Sequence, residues 1–165
     1  MTADYHLGEG IIEKTMQQLL PGRFDTPAAR AMLLAIGAQE SGFRERIQVG
    51  GPARGYWQFE QGGGVHCVLT HSASRMQAKA CCLMRAVAPV ASDVYAALAS
   101  DDLLACAFAR LLLWTDPDPL PGLGDVDKAW AYYRHLWRPG YPHAEAWQLN
   151  YCGALDAAHF TAGIA

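Results

Sequence analysis

The sequence predicts a mainly α-helical single domain, of mixed α+β character, with one loop or small hairpin inserted among its helices. Three observations carry this. Apolar residues recur at helical spacing through most of the 165 residues. Helix start and stop signals bracket those stretches. One glycine-rich interval, residues 43 to 72, lacks the pattern altogether.

The elements follow in order. Ile11, Ile12, Met16, Leu19 and Leu20 make one face of a first helix, which Pro21-Gly22 stops. Thr26-Pro27 opens a second, with a capping hydroxyl before a proline in the first turn. That helix runs from Ala28 to Gln39 and ends near Gly42. Gly50-Gly51-Pro52 and Gly62-Gly63-Gly64 then read as turns or loops, the second a lid-edge candidate, and Tyr56-Trp57-Gln58-Phe59 between them as a short strand. Helical patterns resume at 74–87, 91–99 and 102–114. The Asp116–Gly122 segment, with three prolines, is an extended connector. Asp125 caps a helix that reaches Trp137, Arg138-Pro139-Gly140-Tyr141-Pro142 breaks it, and a last helix starts near His143. No repeat or linker divides residues 1–165, so they form one domain.

Composition narrows the function classes. The chain is 52% hydrophobic and 18% charged, enough apolar content to fill a core. Its formal net charge is −3 and its Lys and Arg are scattered, which argues against nucleic acid as a partner. No apolar run is long enough to span a bilayer, so no membrane partner is expected. The start of the chain carries no basic region followed by an apolar one, so no signal peptide is expected. The five cysteines have no disulfide-like spacing and suit a protein made in a reducing cytoplasm. His66, Cys67 and His71 with Cys81 or Cys82 are the best metal candidates. Their spacing matches no usual zinc pattern, and neither a metal nor another cofactor is expected.

The informative stretch is QESGFRERIQVGGPARGYWQF, Gln39 to Phe59. Glu40 stands at the predicted end of the second helix, where the negative end of the helix dipole disfavours ionisation. Apolar cover from Ile36, Phe43 or Trp57 would raise its pKa further. A carboxylic acid still protonated near neutral pH can donate to a glycosidic oxygen. Tyr56 and Trp57 offer aromatic faces to a sugar, and the Gln58 amide offers donors and an acceptor. Glu60 and Glu45 are candidate second carboxylates, with Glu60 on the same face as Gln58 if that segment is extended. A solvated charge is the plainer role for Glu60, as surface solvation is for Arg44 and Arg54.

Glu40, Ser41, Gly42, Phe43, Ala53, Gly55 and Gln58 resemble the signature of the lysozyme-like transglycosylase superfamily, which comprises soluble lytic transglycosylases and goose-type lysozymes. That signature has Glu-Ser at a helix end, then Gly-Phe, then Gly-x-x-Gln, with the eighteen-residue interval seen here between Glu40 and Gln58. The resemblance implies a lysozyme-like helical domain that cleaves the β-1,4 bond between N-acetylmuramic acid and N-acetylglucosamine. It assigns Glu40 as general acid/base, with Ser41, Gly55, Tyr56, Trp57, Gln58 and Glu60 around the glycan strand of peptidoglycan. The family also places an Ala-Tyr-Asn segment at the sugar site. Ala131-Tyr132-Tyr133 keeps a tyrosine there, which makes Tyr132 the substrate-binding candidate, and Ala107-Phe108-Ala109 is the competing match.

Trp130, Tyr133, Arg134 and Trp137 share one helix face, either as a core stripe or as a carbohydrate or partner platform. The Trp137–His143 turn resembles small proteins of tailed bacteriophages. The expectation is therefore a phage-encoded, murein-cleaving domain made in the host cytoplasm and carried in the virion, with other virion proteins as partners. The alternative is a non-catalytic structural or assembly protein on the same scaffold, a class that the net charge of −3 also suits.

Overall fold

The computed structural model describes residues 2–162, with side chains through residue 158. Eight α-helices carry the described residues: α1 Tyr5–Gln18, α2 Pro27–Glu40, α3 His66–Thr70, α4 Arg75–Met84, α5 Ala91–Ala97, α6 Asp102–Trp114, α7 Val126–Trp137 and α8 Ala144–Ala162. Capping explains several starts. Thr26 accepts from the Ala29 amide at 3.1 Å, Asp101 from Leu104 at 3.0 Å and Asp125 from Lys128 at 3.2 Å.

α2 is the hub. Ala29 and every residue from Ala31 to Ala38 are buried, because α1, α6 and α8 all pack against it. A helix apolar on all sides is stable only when enclosed in this way. α6 buries its residues from Leu104 to Leu113 against α1, α2 and α4. No described helix is long and apolar enough to cross a membrane.

The excursion after α2 differs from the expected hairpin. No strand forms among the described residues, only isolated antiparallel bridges, Ile47 with Arg54 and Arg54 with Phe59. Residues 56–59 are not extended. Gly55 and Gln58 adopt φ of 73° and 51°, and the Gln58 amide closes a tight turn on the Gly55 carbonyl at 2.9 Å. Gly62-Gly63-Gly64 is not a loose loop either. It lies in a wide π-type helical turn, Gln61–Val65, kinked at Gly63, that runs straight into α3. Glycine tolerates both the kink and the winding, so the composition that signals a loop also permits this turn.

Candidate active site around Glu40

Glu40 is the last residue of α2, and its position depends on how the chain leaves that helix. Ser41 and Gly42 stop the winding, and Phe43 turns back with φ 57°. The Phe43 ring then lies directly on Gly37, where an added Cβ would sit 2.3 Å from it. Any larger side chain at Gly37 would push the ring, and with it the exit from α2, out of place.

Ser41 ties this exit to the turn that follows. Its hydroxyl donates to the Tyr56 carbonyl at 2.8 Å and accepts from the Phe43 amide at 3.1 Å. Trp57 is fully enclosed, and its indole N–H donates to the Leu33 carbonyl on α2 at 2.9 Å. The Trp57 carbonyl in turn accepts from the Trp137 indole of α7 at 3.0 Å. Gly55 sits between the end of α5 and α6, where a Cβ would meet the Leu98 carbonyl at 2.9 Å and the Ala105 methyl at 3.1 Å. Two helices and the turn thus clamp the surroundings of Glu40.

The carboxyl itself is half-buried. Burial raises its pKa from the ordinary glutamate value to about 7, while a hydrogen bond from the Tyr133 hydroxyl, 2.6 Å to Oε1, pulls the other way. The same contact and burial hold the Tyr133 phenol well above its ordinary pKa, so it stays a donor. Because Tyr133 donates to Oε1, the acid form of Glu40 carries its proton on Oε2. Tyr133 is held in an aromatic stack: its ring lies 4.9 Å from Trp147 at 10°, Trp130 is 5.5 Å away and Trp137 6.3 Å.

The sequence candidates separate into distinct settings. Glu40 and Ser41 stand at the end of α2, while the Trp57 indole is enclosed against its middle, at Leu33. The Tyr56 ring is 3% exposed, packed on Phe43 at 5.8 Å and covered by the Arg46 guanidinium at 4.5 Å, so it gives no sugar a face. Trp57 has no exposed face either. Tyr132 points away from Glu40, its hydroxyl donating to the Leu113 and Asp118 carbonyls at 3.1 and 3.3 Å. The tyrosine on Glu40 is its neighbour, Tyr133. The stripe Trp130, Tyr133, Trp137 carried that signal, since it runs along the side of α7 that carries Tyr133 to Glu40 and Trp147, while Tyr132, also buried, faces the end of α6 and the connector.

Gln58 and Glu60 line a cleft of about 470 Å³ with Phe59, His66, Trp137 and Arg138. The Gln58 amide donates to the Gly55 carbonyl at 2.9 Å, and Glu60 is exposed. Glu40 is not among the residues lining this cleft; Trp137 is, one helical turn beyond Tyr133. Among the described residues no group of three His, Cys, Asp or Glu side chains converges as a metal site would require. No protein-family model, no curated protein and no solved structure matches this chain.

Proposed function

We propose that this chain is a lysozyme-like domain that cleaves the glycan strand of peptidoglycan, with Glu40 as general acid/base, and that it works as part of a bacteriophage virion. One observation carries the proposal: a carboxyl at a helix end, half-buried, with its pKa raised to about 7 and one oxygen held by a tyrosine hydroxyl. Such a group is protonated at mildly acidic pH and can give up its proton near neutrality. The spacing from Glu40 to Gln58 supplies the substrate class.

In the mechanism, Oε2 of Glu40 protonates the oxygen linking the two sugars. As that bond breaks, the resulting carboxylate keeps the Tyr133 hydrogen bond, which stabilises the charge. The carboxylate then takes a proton from the nucleophile. Burial and Tyr133 are what set the proton affinity of Glu40, whereas Glu60 lies exposed on the cleft rim. This favours a single-carboxylate route, in which a hydroxyl of the product sugar closes an anhydro ring, over a water-dependent one using two carboxylates. Gln58 and the cleft beside it position the strand.

The test is incubation of purified protein with purified murein, with mass analysis of the soluble products. Anhydro fragments, lighter by one water than hydrolysed ones, are expected. A folded protein that releases nothing overturns the proposal.

A second reading rests on a specific observation. The cleft omits Glu40, and the Tyr56 and Trp57 rings are buried. Both favour a virion structural or assembly protein that keeps the scaffold without the chemistry. A stable complex with other virion proteins, formed equally well by Glu40→Gln, would select it.

A further inference from the structure

A second cavity, of about 420 Å³, lies between the short turn Gly22–Phe24, the C-terminal end of α6 and the connector after it. It falls outside everything the murein reading uses. Arg110 of α6 lines it and is 2% exposed. Its Nε donates to the Phe24 carbonyl at 2.7 Å, and its guanidinium lies 5.0 Å from the Trp114 ring. Its Nη1 is buried with no hydrogen-bond acceptor. The neighbouring Asp25 carboxylate accepts instead from Arg30, at 2.6 and 2.8 Å, and makes no hydrogen bond to Nη1. A guanidinium this enclosed, with the Phe24 carbonyl as its acceptor, is costly to bury uncompensated, and an anionic group in the cavity that Arg110 lines would offset that cost.

The same cavity is lined by a second cation and by two acids. Arg23, exposed, lines it beside Arg110 and lies 5.4 Å from the Trp114 ring. Asp116 and Asp118 line it from the connector. One Asp116 oxygen accepts from the Asp118 amide at 2.9 Å, and the other lies 3.7 Å from the His135 imidazole. The Asp118 side chain remains exposed at the rim. A simple anion would meet these carboxylates and be repelled; a simple cation would meet the two arginines. A ligand bearing both charges meets both sets of groups, and Trp114 and Leu113 add apolar wall to the same cavity.

We propose that this cavity binds a zwitterionic amino-acid group, its carboxylate on Arg110 and Arg23 and its ammonium on Asp118. A planar carboxylate suits a guanidinium edge, and a volume of this size accommodates one amino acid with an apolar side chain.

Isothermal titration of the full chain with L-leucine, D-alanine, acetate and ethylamine tests this. Saturable binding of at least one amino acid is expected, with acetate and ethylamine each weaker by about tenfold or more. Arg23→Gln and Asp118→Asn alter exposed positions and leave the fold intact; each should weaken amino-acid binding by about tenfold. Arg110→Gln should abolish it, with circular dichroism checking that the variant folds. The proposal is overturned by the absence of saturable binding up to about 20 mM, by acetate binding as tightly as the amino acid, or by wild-type affinity in both Arg23→Gln and Asp118→Asn.

Discussion

The Tyr133 hydroxyl donates to Oε1 of Glu40 at 2.6 Å, joining α7 to the end of α2 across 93 positions of sequence. This hydrogen bond favours the ionised carboxylate and opposes the burial that raises its pKa. Tyr133→Phe removes the opposing effect, so the Glu40 pKa should rise above about 7. Because the acid form starts the reaction, the pH at which murein release falls off should move up by about one unit, with a lower maximum rate. A pH–rate profile of the variant checks this; an unmoved fall-off would show that Tyr133 does not act through Glu40.

Stability should carry the same signature. Glu40 binds its proton more tightly in the folded chain than the unfolded value of 4.5 allows, so folding favours the protonated form. Protein stability should therefore fall as pH rises from about 4.5 to about 7 and level off above. Glu40→Gln removes that dependence and keeps an acceptor for Tyr133. At pH 8 it should be more stable than the wild type, by up to about 3 kcal/mol. Urea unfolding of both proteins at pH 5 and pH 8 measures the difference.

Trp57 is expected to act on folding rather than on sugar binding. It is fully enclosed, 5.7 Å from the Phe43 ring, with its N–H on the Leu33 carbonyl. Trp57→Phe should cost about 1–2 kcal/mol by losing that hydrogen bond and part of the indole's packing, and Trp57→Ala about 3–5 kcal/mol. Unchanged thermal midpoints with weakened glycan binding would instead make it a sugar platform.

Gly55 offers a backbone test. Its φ of 73° and the Leu98 carbonyl 2.9 Å from a prospective Cβ both exclude side chains. Gly55→Ala should destabilise the protein by about 1–3 kcal/mol and lower murein release with it, by loosening the turn that carries Trp57 and Gln58. Thermal unfolding and the release assay on the same sample check both.

Most of the helical frame was legible in the sequence because it is written locally. Thr26-Pro27 and Asp125 mark helix starts that the structure keeps, and α6 spans the same residues, 102–114, in both. What was not legible depends on long-range contact. Tyr56-Trp57 looks like an aromatic strand, yet the turn at Gln58 and the hydrogen bond to Leu33 bury it against α2. Gly62-Gly63-Gly64 reads as a loop by propensity, while burial of Val65 and Val68 beyond it winds the segment into helix. At the site, the motif spacing singled out Glu40, but the choice between Tyr132 and Tyr133 is set by which face of α7 meets α2 and α8. A motif match by register selects Tyr132; the aromatic stripe selects Tyr133.

The most direct test of Glu40 as the acid/base is soluble murein release by wild type and Glu40→Gln, measured in parallel at mildly acidic pH on proteins of equal circular dichroism. Wild type should release fragments, and Glu40→Gln should be slower by on the order of 10²–10⁴-fold. Equal release by the two, or none by either, would contradict the account.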